Sequence, residues 1–338
     1  MNPNRRALHR GAYLLGIAVL VGLPWVLSTR DLHFAIELLI AGLFAMSLGM
    51  IMGQGGMVSL GHAAFFSIGG YTAGLLLKAG VDFSLAMTAA PLAAAAAGWL
   101  MGFLAVRRSH AYLLMLTFAL GQLVYSVFFS WRSLTGGDDG LIGIRPPGWL
   151  IPLENFYWFS LALTGVSIFV LFRIFQSPFG YSLRAVRDSP NRAIASGIPV
   201  RRQQIMAFVI GAFFAGIAGA LFAFFNRAFF PGSAHWLHSA DAFVAVIVGG
   251  PMLSFGPLVG AVILEFLSEF ISRYTVYRFL FLGAAMIFIA LVAPYGVGPP
   301  FMRLIARIWQ PAKTASEEPQ VPAPLGRPSP EHKEGEAA

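Results

Sequence analysis

The chain contains no cysteine. It therefore has no means of building a disulfide framework, a Cys-ligated zinc site or a thiol nucleophile. Charge is also scarce: 11% of its 338 residues are Asp, Glu, Lys or Arg, against about 25% in a soluble domain. So few charges cannot coat a water-facing surface of this size, which argues against a soluble enzyme or a disordered protein. The net charge of +8 does not signal a nucleic-acid binder, because the basic residues sit in short clusters between long apolar runs, where they act as orientation signals. No GxxxxGK[ST] run is present, so the chain has no P-loop with which to bind ATP. A membrane-embedded enzyme would need carboxylates, histidines or a metal cluster at one interface, and no HxxxxD or DxxxD spacing occurs. No metal site and no cofactor are expected.

What is abundant is apolar sequence, at 57%. A helix needs about 20 mostly apolar residues to cross a hydrocarbon core of about 30 Å. Ten segments qualify or nearly qualify: 11–28, 32–52, 57–77, 84–106, 111–130, 156–173, 205–226, 240–253, 255–272 and 277–294. The eighth is short enough to be either a crossing or a re-entrant piece. This predicts an all-α polytopic membrane protein with about ten helices, some short or broken. The membrane domain extends over 1–310, and a Pro- and Glu-rich tail over 311–338 lacks the apolar residues needed to order itself. Residues 174–204 form a loop whose Arg184, Arg187, Arg192, Arg201 and Arg202 face one acid, Asp188. The positive-inside rule puts that loop in the cytoplasm. The 131–155 loop, with Asp138, Asp139 and Glu154, then lies outside. Ten crossings satisfy these assignments with both termini inside; nine do not.

Two stretches break the helix rules. Residues 53–62 hold Gly53, Gln54, Gly55, Gly56, Ser59, Gly61 and His62 between apolar runs. Residues 249–257 hold Gly249, Gly250, Pro251, Ser254, Gly256 and Pro257. GGMVSLG (55–61) and GGPMLSFG (249–256) resemble each other apart from one inserted residue. Irregular backbone at membrane depth survives only inside protein or beside a water-filled cavity, and paired broken segments in two halves point to a translocation path. Tight turns between packed helices are the plainer reading. On the path reading, Gln54, Ser59, Gly61, His62, Phe65, Ser254, Gly256 and Glu265 line the route. His62 alternatively satisfies itself on a neighbouring carbonyl. Glu265, Glu269 and Arg273 share one helix face, and a charge at a helix centre usually faces the bundle interior or water. Glu269 is placed to pair with Arg273 one turn on. Asp138 and Asp139 either meet a partner outside or form a solvated turn. Gly211, Ala215 and Gly219 form a small-residue face for a close helix contact, within this chain or with another.

Together these residues carry a family resemblance. AGLFAMSLG (41–49) followed by GQGGMVSLGHAAFFSIGGYTAGLL (53–76) is similar to the signature of bacterial branched-chain amino-acid ABC-importer permeases, in particular the M-type member of the pair. TGGDDGLIGI (135–144) resembles the family's outer loop. SPFGYSLRAVRDSPNRAIASGIPV (177–200) resembles its cytoplasmic coupling loop, and VGGPMLSFGPLVGAVILEFLSEFI (248–271) a late helical segment. The resemblance covers about 30–295. Gly49 stands where the family tends to have Asn, and Gly53 directly precedes Gln54 where it tends to have Tyr-Ala. The resemblance implies a non-catalytic subunit in the bacterial inner membrane that forms half of a pathway. Its implied partners are a second related permease, two cytoplasmic ATP-binding subunits and an extracytoplasmic solute-binding protein, with membrane lipid around it and no nucleic acid. Branched-chain amino acids are the implied cargo; urea, amides or other amino acids are the alternatives, and an ion-coupled secondary transporter is a rival class. Within the coupling loop, Leu183, Val186 and Ile194 alternate with arginines to suggest two short amphipathic helices. Pro190 follows an N-cap at Ser189, and Gly197 stops the second helix. Arg184, Arg187, Asn191, Arg192 and Gly197 are the expected ATPase contacts; binding of anionic lipid by this basic segment is the alternative.

Overall fold

The computed structural model describes residues 20–106, 110–274, 280 and 283–284. The N-terminal arginines, the 107–109 turn, most of the tenth expected segment and the tail lie outside them. A helical stretch at 20–26 precedes α1 (Thr29–Gly49), whose first turn is closed by Ser28 accepting from the Asp31 N–H. A π-helical turn, Met50–Gln54, ends α1. The chain then runs without helix from 55 to 61 and enters α2 (His62–Lys78). The helix expected from 57 thus begins at His62, because glycines interrupt the ladder before it. There follow α3 (Phe83–Ala105), α4 (His110–Ser130), the short α5 (Arg132–Thr135), α6 (Leu153–Phe175), α7 (Pro178–Asp188), α8 (Pro190–Ala195), α9 (Val200–Asn226), α10 (Trp236–Gly249) and α11 (Gly256–Tyr274). Among the described residues the exception to an all-α chain is one antiparallel pair, β1 (Leu141–Ile142) with β2 (Ala228–Phe229), in the register Leu141–Phe229.

Among the described residues, five helical stretches are long and apolar enough to cross a membrane: Thr29–Gln54, Phe83–Ala105, Tyr112–Ser130, Leu153–Phe175 and Val200–Asn226. Helices α2, α10 and α11 are shorter or more charged. The chain is therefore a helical, membrane-embedded protein. Apolar side chains on α3, α4 and α6 remain exposed, among them Leu92, Trp99, Met115, Leu123, Val166 and Phe169. Hydrocarbon stabilises such a surface, whereas water does not.

Helix α9 is the central post. Its small residues answer the question left open at Gly211, Ala215 and Gly219: the close contacts are within the chain. Gly211 packs tightly on the Ser47 carbonyl of α1 and on Ile51 of the π-turn, and Gly219 abuts the Phe66 carbonyl of α2 with no room for a Cβ. Gly216 packs on Pro91 and Ala94 of α3. Without a hydrophobic drive between helices in lipid, such backbone-to-backbone approach supplies the packing energy.

Candidate functional site

The two glycine-rich stretches meet. Gly53 lies against the Pro251 carbonyl, and Gly49 against the Pro257 ring. The second glycine of each pair takes a left-handed backbone, with φ of +66° at Gly56 and +94° at Gly250. Only glycine adopts that region freely, so the likeness of the two stretches extends to their turn geometry. Residues 55–61 run back alongside α1. His62 reaches Ser47, seven residues before Gln54 and so about 10 Å along the helix, with Nε2 at 2.7 Å from Ser47 Oγ.

The start of α2 is held by distant groups. Gly61 has no side chain with which to cap it. The Ala63 N–H instead donates to Ser239 Oγ of α10 at 2.8 Å. Gly61 itself is packed against the Thr117 carbonyl of α4. Ser47 Oγ donates to the Phe44 carbonyl at 2.6 Å. A hydroxyl has one hydrogen, so it must accept from His62 Nε2. His62 stacks on Phe44, whose other face stacks on His238, with centroids 5.2 and 4.9 Å apart. Phe65 meets the His62 ring edge-on. Gln54, Ser59, His62 and Phe65 are all buried, Gln54 at 2% exposure.

Beside this layer lies a cavity of about 230 Å³ between α1, α10 and α11, lined by Phe44, Phe66 and His238 among others, with Glu37, Asp241 and Glu265 at its walls and rim. Of the residues singled out in the sequence, Glu265 lines this cavity; His62 and Phe65 sit one layer behind it. Ser254 lies in the turn after α10, and Gly256 opens α11 against the Gly249 and Gly250 carbonyls. Glu269 pairs with Arg273 at 3.2 Å, as its spacing suggests, and also with Arg30 at 2.9 Å. Ser47, Ser239, His238 and Asp241 carry no sequence signal that marks them; their importance comes from packing between remote segments. No cluster of metal-binding side chains occurs among the described residues.

The arginine-rich loop after α6 folds as two helices. Ser177 caps α7, accepting from the Gly180 N–H, and Pro190 occupies the first turn of α8. Ser189 sits at the N-cap position of α8, but its side chain makes no capping bond. Gly197 stops the segment with φ of +77°. Leu183 and Val186 are buried as expected, but Ile194 is 62% exposed, and Ala193 takes its place against the body. Arg184 and Arg187 also turn inward. Arg184 Nη1 donates to Gln54 Oε1 at 2.6 Å and to the Phe175 carbonyl at 2.9 Å. Arg187 Nη1 donates to the Gly53 carbonyl at 2.8 Å, and its Nε to Asp188 at 2.9 Å. Asn191, Arg192 and Gly197 are exposed. A groove of about 1480 Å³ next to them is lined by Trp99, Phe103, Arg201, Arg202 and Met206 among others, with the Arg201 guanidinium 4.8 Å over the Phe103 ring.

Just after α5, Asp138 and Asp139 sit exposed in a 3-10 turn, Gly137–Asp139, framed by the left-handed glycines Gly136 and Gly140.

The family model described as the branched-chain amino acid transport system / permease component matches residues 32–290. The high-affinity branched-chain amino acid transport system permease protein LivM of Escherichia coli (strain K12) is 29% identical over 85% of this chain and 74% of its own length. The LivM protein of Salmonella typhimurium matches to the same extent. The high-affinity branched-chain amino acid transport system permease protein LivH of Salmonella typhimurium is 28% identical over 75% of this chain and 90% of its own length. No solved structure matches the chain. With the match extending from the first turn of α1 past the end of α11, the chain belongs to the family of branched-chain amino-acid transport system permease components.

Proposed function

We propose that this chain forms one half of an ATP-driven import pathway for branched-chain amino acids across the bacterial inner membrane. The observation that carries the reading is the family match across 32–290. The other half is a second, related permease; two kinds of permease protein, LivM and LivH, are both similar to this chain. Two cytoplasmic ATP-binding subunits and an extracytoplasmic binding protein complete the assembly, with about ten crossings and both termini in the cytoplasm.

The route runs along the face made by α1, α10 and α11. Glu37, Asp241 and Glu265 open onto that face, and a carboxylate facing hydrocarbon is costly, so such residues usually face a partner or water. The wall behind the route is the buried layer of Gln54, Ser59, Gly61, His62 and Phe65, with Ser254 and Gly256 on the second broken segment. The ATP-binding subunit docks on the exposed Asn191, Arg192 and Ile194 of α8 and Tyr181 of α7. Lipid with an anionic headgroup fits the neighbouring groove, where apolar walls meet arginines. Asp138 and Asp139 meet the binding protein.

The test is reconstitution. The tagged chain, co-expressed with a related permease, ATP-binding subunits and binding protein, is expected to co-purify with them and to take up leucine into liposomes only with ATP. Uptake of urea or an amide but not leucine would move the cargo to another class. Uptake by this chain alone, without ATP, would replace the reading with an ion-coupled carrier.

A further inference from the structure

The inner loop and the broken membrane segment are joined by side chains rather than by chain connectivity. A π-turn that ends in irregular backbone leaves its last carbonyls without helical partners. At Met50–Gln54 the Ile51 and Met52 carbonyls accept from the Met57 and Gly56 N–H groups, whereas the Gly53 carbonyl and the Gln54 side chain are met from α7, more than a hundred residues away in sequence. Arg187 donates to the Gly53 carbonyl, and its aliphatic stem covers Gly56. Arg184 donates to Gln54 Oε1 and, with the same nitrogen, to the Phe175 carbonyl at the end of α6. Gln54 is 2% exposed, so neither water nor lipid offers it another donor. Charge-assisted bonds of this kind are the stronger ones. The far side of Gly53 touches the Pro251 carbonyl of the second broken segment. One chain of contacts therefore runs from α7 through residues 53–54 to the turn after α10. Tyr181 of α7 is 63% exposed, with the Arg184 guanidinium 4.5 Å over its ring.

We infer that Gln54, Arg184 and Arg187 are positioning residues forming a latch, through which movement of α7 is passed to both broken segments. This rests on the transport reading above. The latch makes the inner loop part of the gate rather than only a docking surface for another subunit, and it gives Gln54 a role other than contact with the cargo.

The test uses the whole reconstituted complex and two variants of one residue. Gln54→Met removes the acceptor at similar volume; Gln54→Glu keeps it and adds a charge facing Arg184. In the Gln54→Met complex, ATP hydrolysis is expected to stay within about twofold of the unsubstituted complex while uptake per ATP falls about tenfold, the size of an ordinary coupling between sites. Gln54→Glu should retain uptake. Hydrogen exchange supplies a readout that needs no cargo: nucleotide binding should change protection across 53–61 in the unsubstituted complex and not in Gln54→Met. An unchanged ratio of uptake to hydrolysis in Gln54→Met overturns the latch, as does a segment 53–61 indifferent to nucleotide. Equal loss of assembly in both variants also overturns it, because the contact then only holds the fold. A failure of the transport reading shows separately, as an unsubstituted complex without ATP-driven uptake.

Discussion

At the scale of single residues, the buried polar layer is specified by hydrogen counting. Ser47 has one hydrogen, and it goes to the Phe44 carbonyl; His62 is thereby the donor in the 2.7 Å contact. Ser47→Ala leaves that N–H buried and unpaired, at a cost of about 1–3 kcal/mol. Paired with His62→Leu, a double-mutant cycle in unfolding from detergent should return a coupling above about 0.5 kcal/mol; simple additivity would mean that the two side chains are not bonded. Gly61 follows a different logic. Any side chain there collides with the Thr117 carbonyl, so Gly61→Leu is expected to lose folded protein rather than only transport. Normal yield and normal thermal stability of that variant would contradict the packing. The special standing of Gly61 and His62 was legible in the sequence because glycine density and a lone histidine stand out in an apolar run. Ser47 and Ser239 were not legible, because a serine in a membrane helix becomes significant only through what lies opposite it.

At the scale of elements, local chemistry predicted local structure well. The two short helices expected in the 174–204 loop form, with Pro190 in the first turn of α8 and Gly197 after it, although Ser189 makes no capping bond; the short eighth segment, expected at 240–253, forms the 14-residue α10 four residues earlier. Such a helix is about 21 Å long, less than a hydrocarbon core of about 30 Å. The direction of each arginine could not be read in this way. Arg184 and Arg187 find their partners 130 and 134 residues away, and nothing in the loop's own pattern separates them from Arg192. The structure does separate them, and a prediction follows. Arg192→Glu alters an exposed side chain and should leave thermal stability unchanged while reducing substrate-stimulated ATP hydrolysis in the assembled complex. Arg187→Glu places a carboxylate beside the Gly53 carbonyl it was holding, and should lower stability in the isolated chain as well. If both variants behave alike in the isolated chain, the inward and outward roles are not distinct.

At the scale of the whole molecule, orientation is what joins the parts into a transporter. The acidic turn at 137–139 precedes α6 in the chain and the helices α7 and α8 follow it; α6 is a 23-residue helix about 34 Å long. The two loops thus sit on opposite sides of any bilayer that α6 crosses. The arginine excess gives the expectation that α7 and α8 face the cytoplasm, because basic loops tend to stay there. On the proposed transport function, the loop that touches Gln54 is then the one expected to lie within reach of an ATP-binding subunit. The absence of native cysteine makes this directly measurable. A cysteine placed at Ser133, exposed beside the acidic turn, should react in intact cells with an impermeant thiol reagent. One placed at Asn191, exposed on α8, should react only after the membrane is opened. Labelling at both sites from outside would mean that α6 does not span. The reverse pattern would put the arginines outside, leave the latch facing away from ATP, and remove the coupling role assigned to α7 and α8.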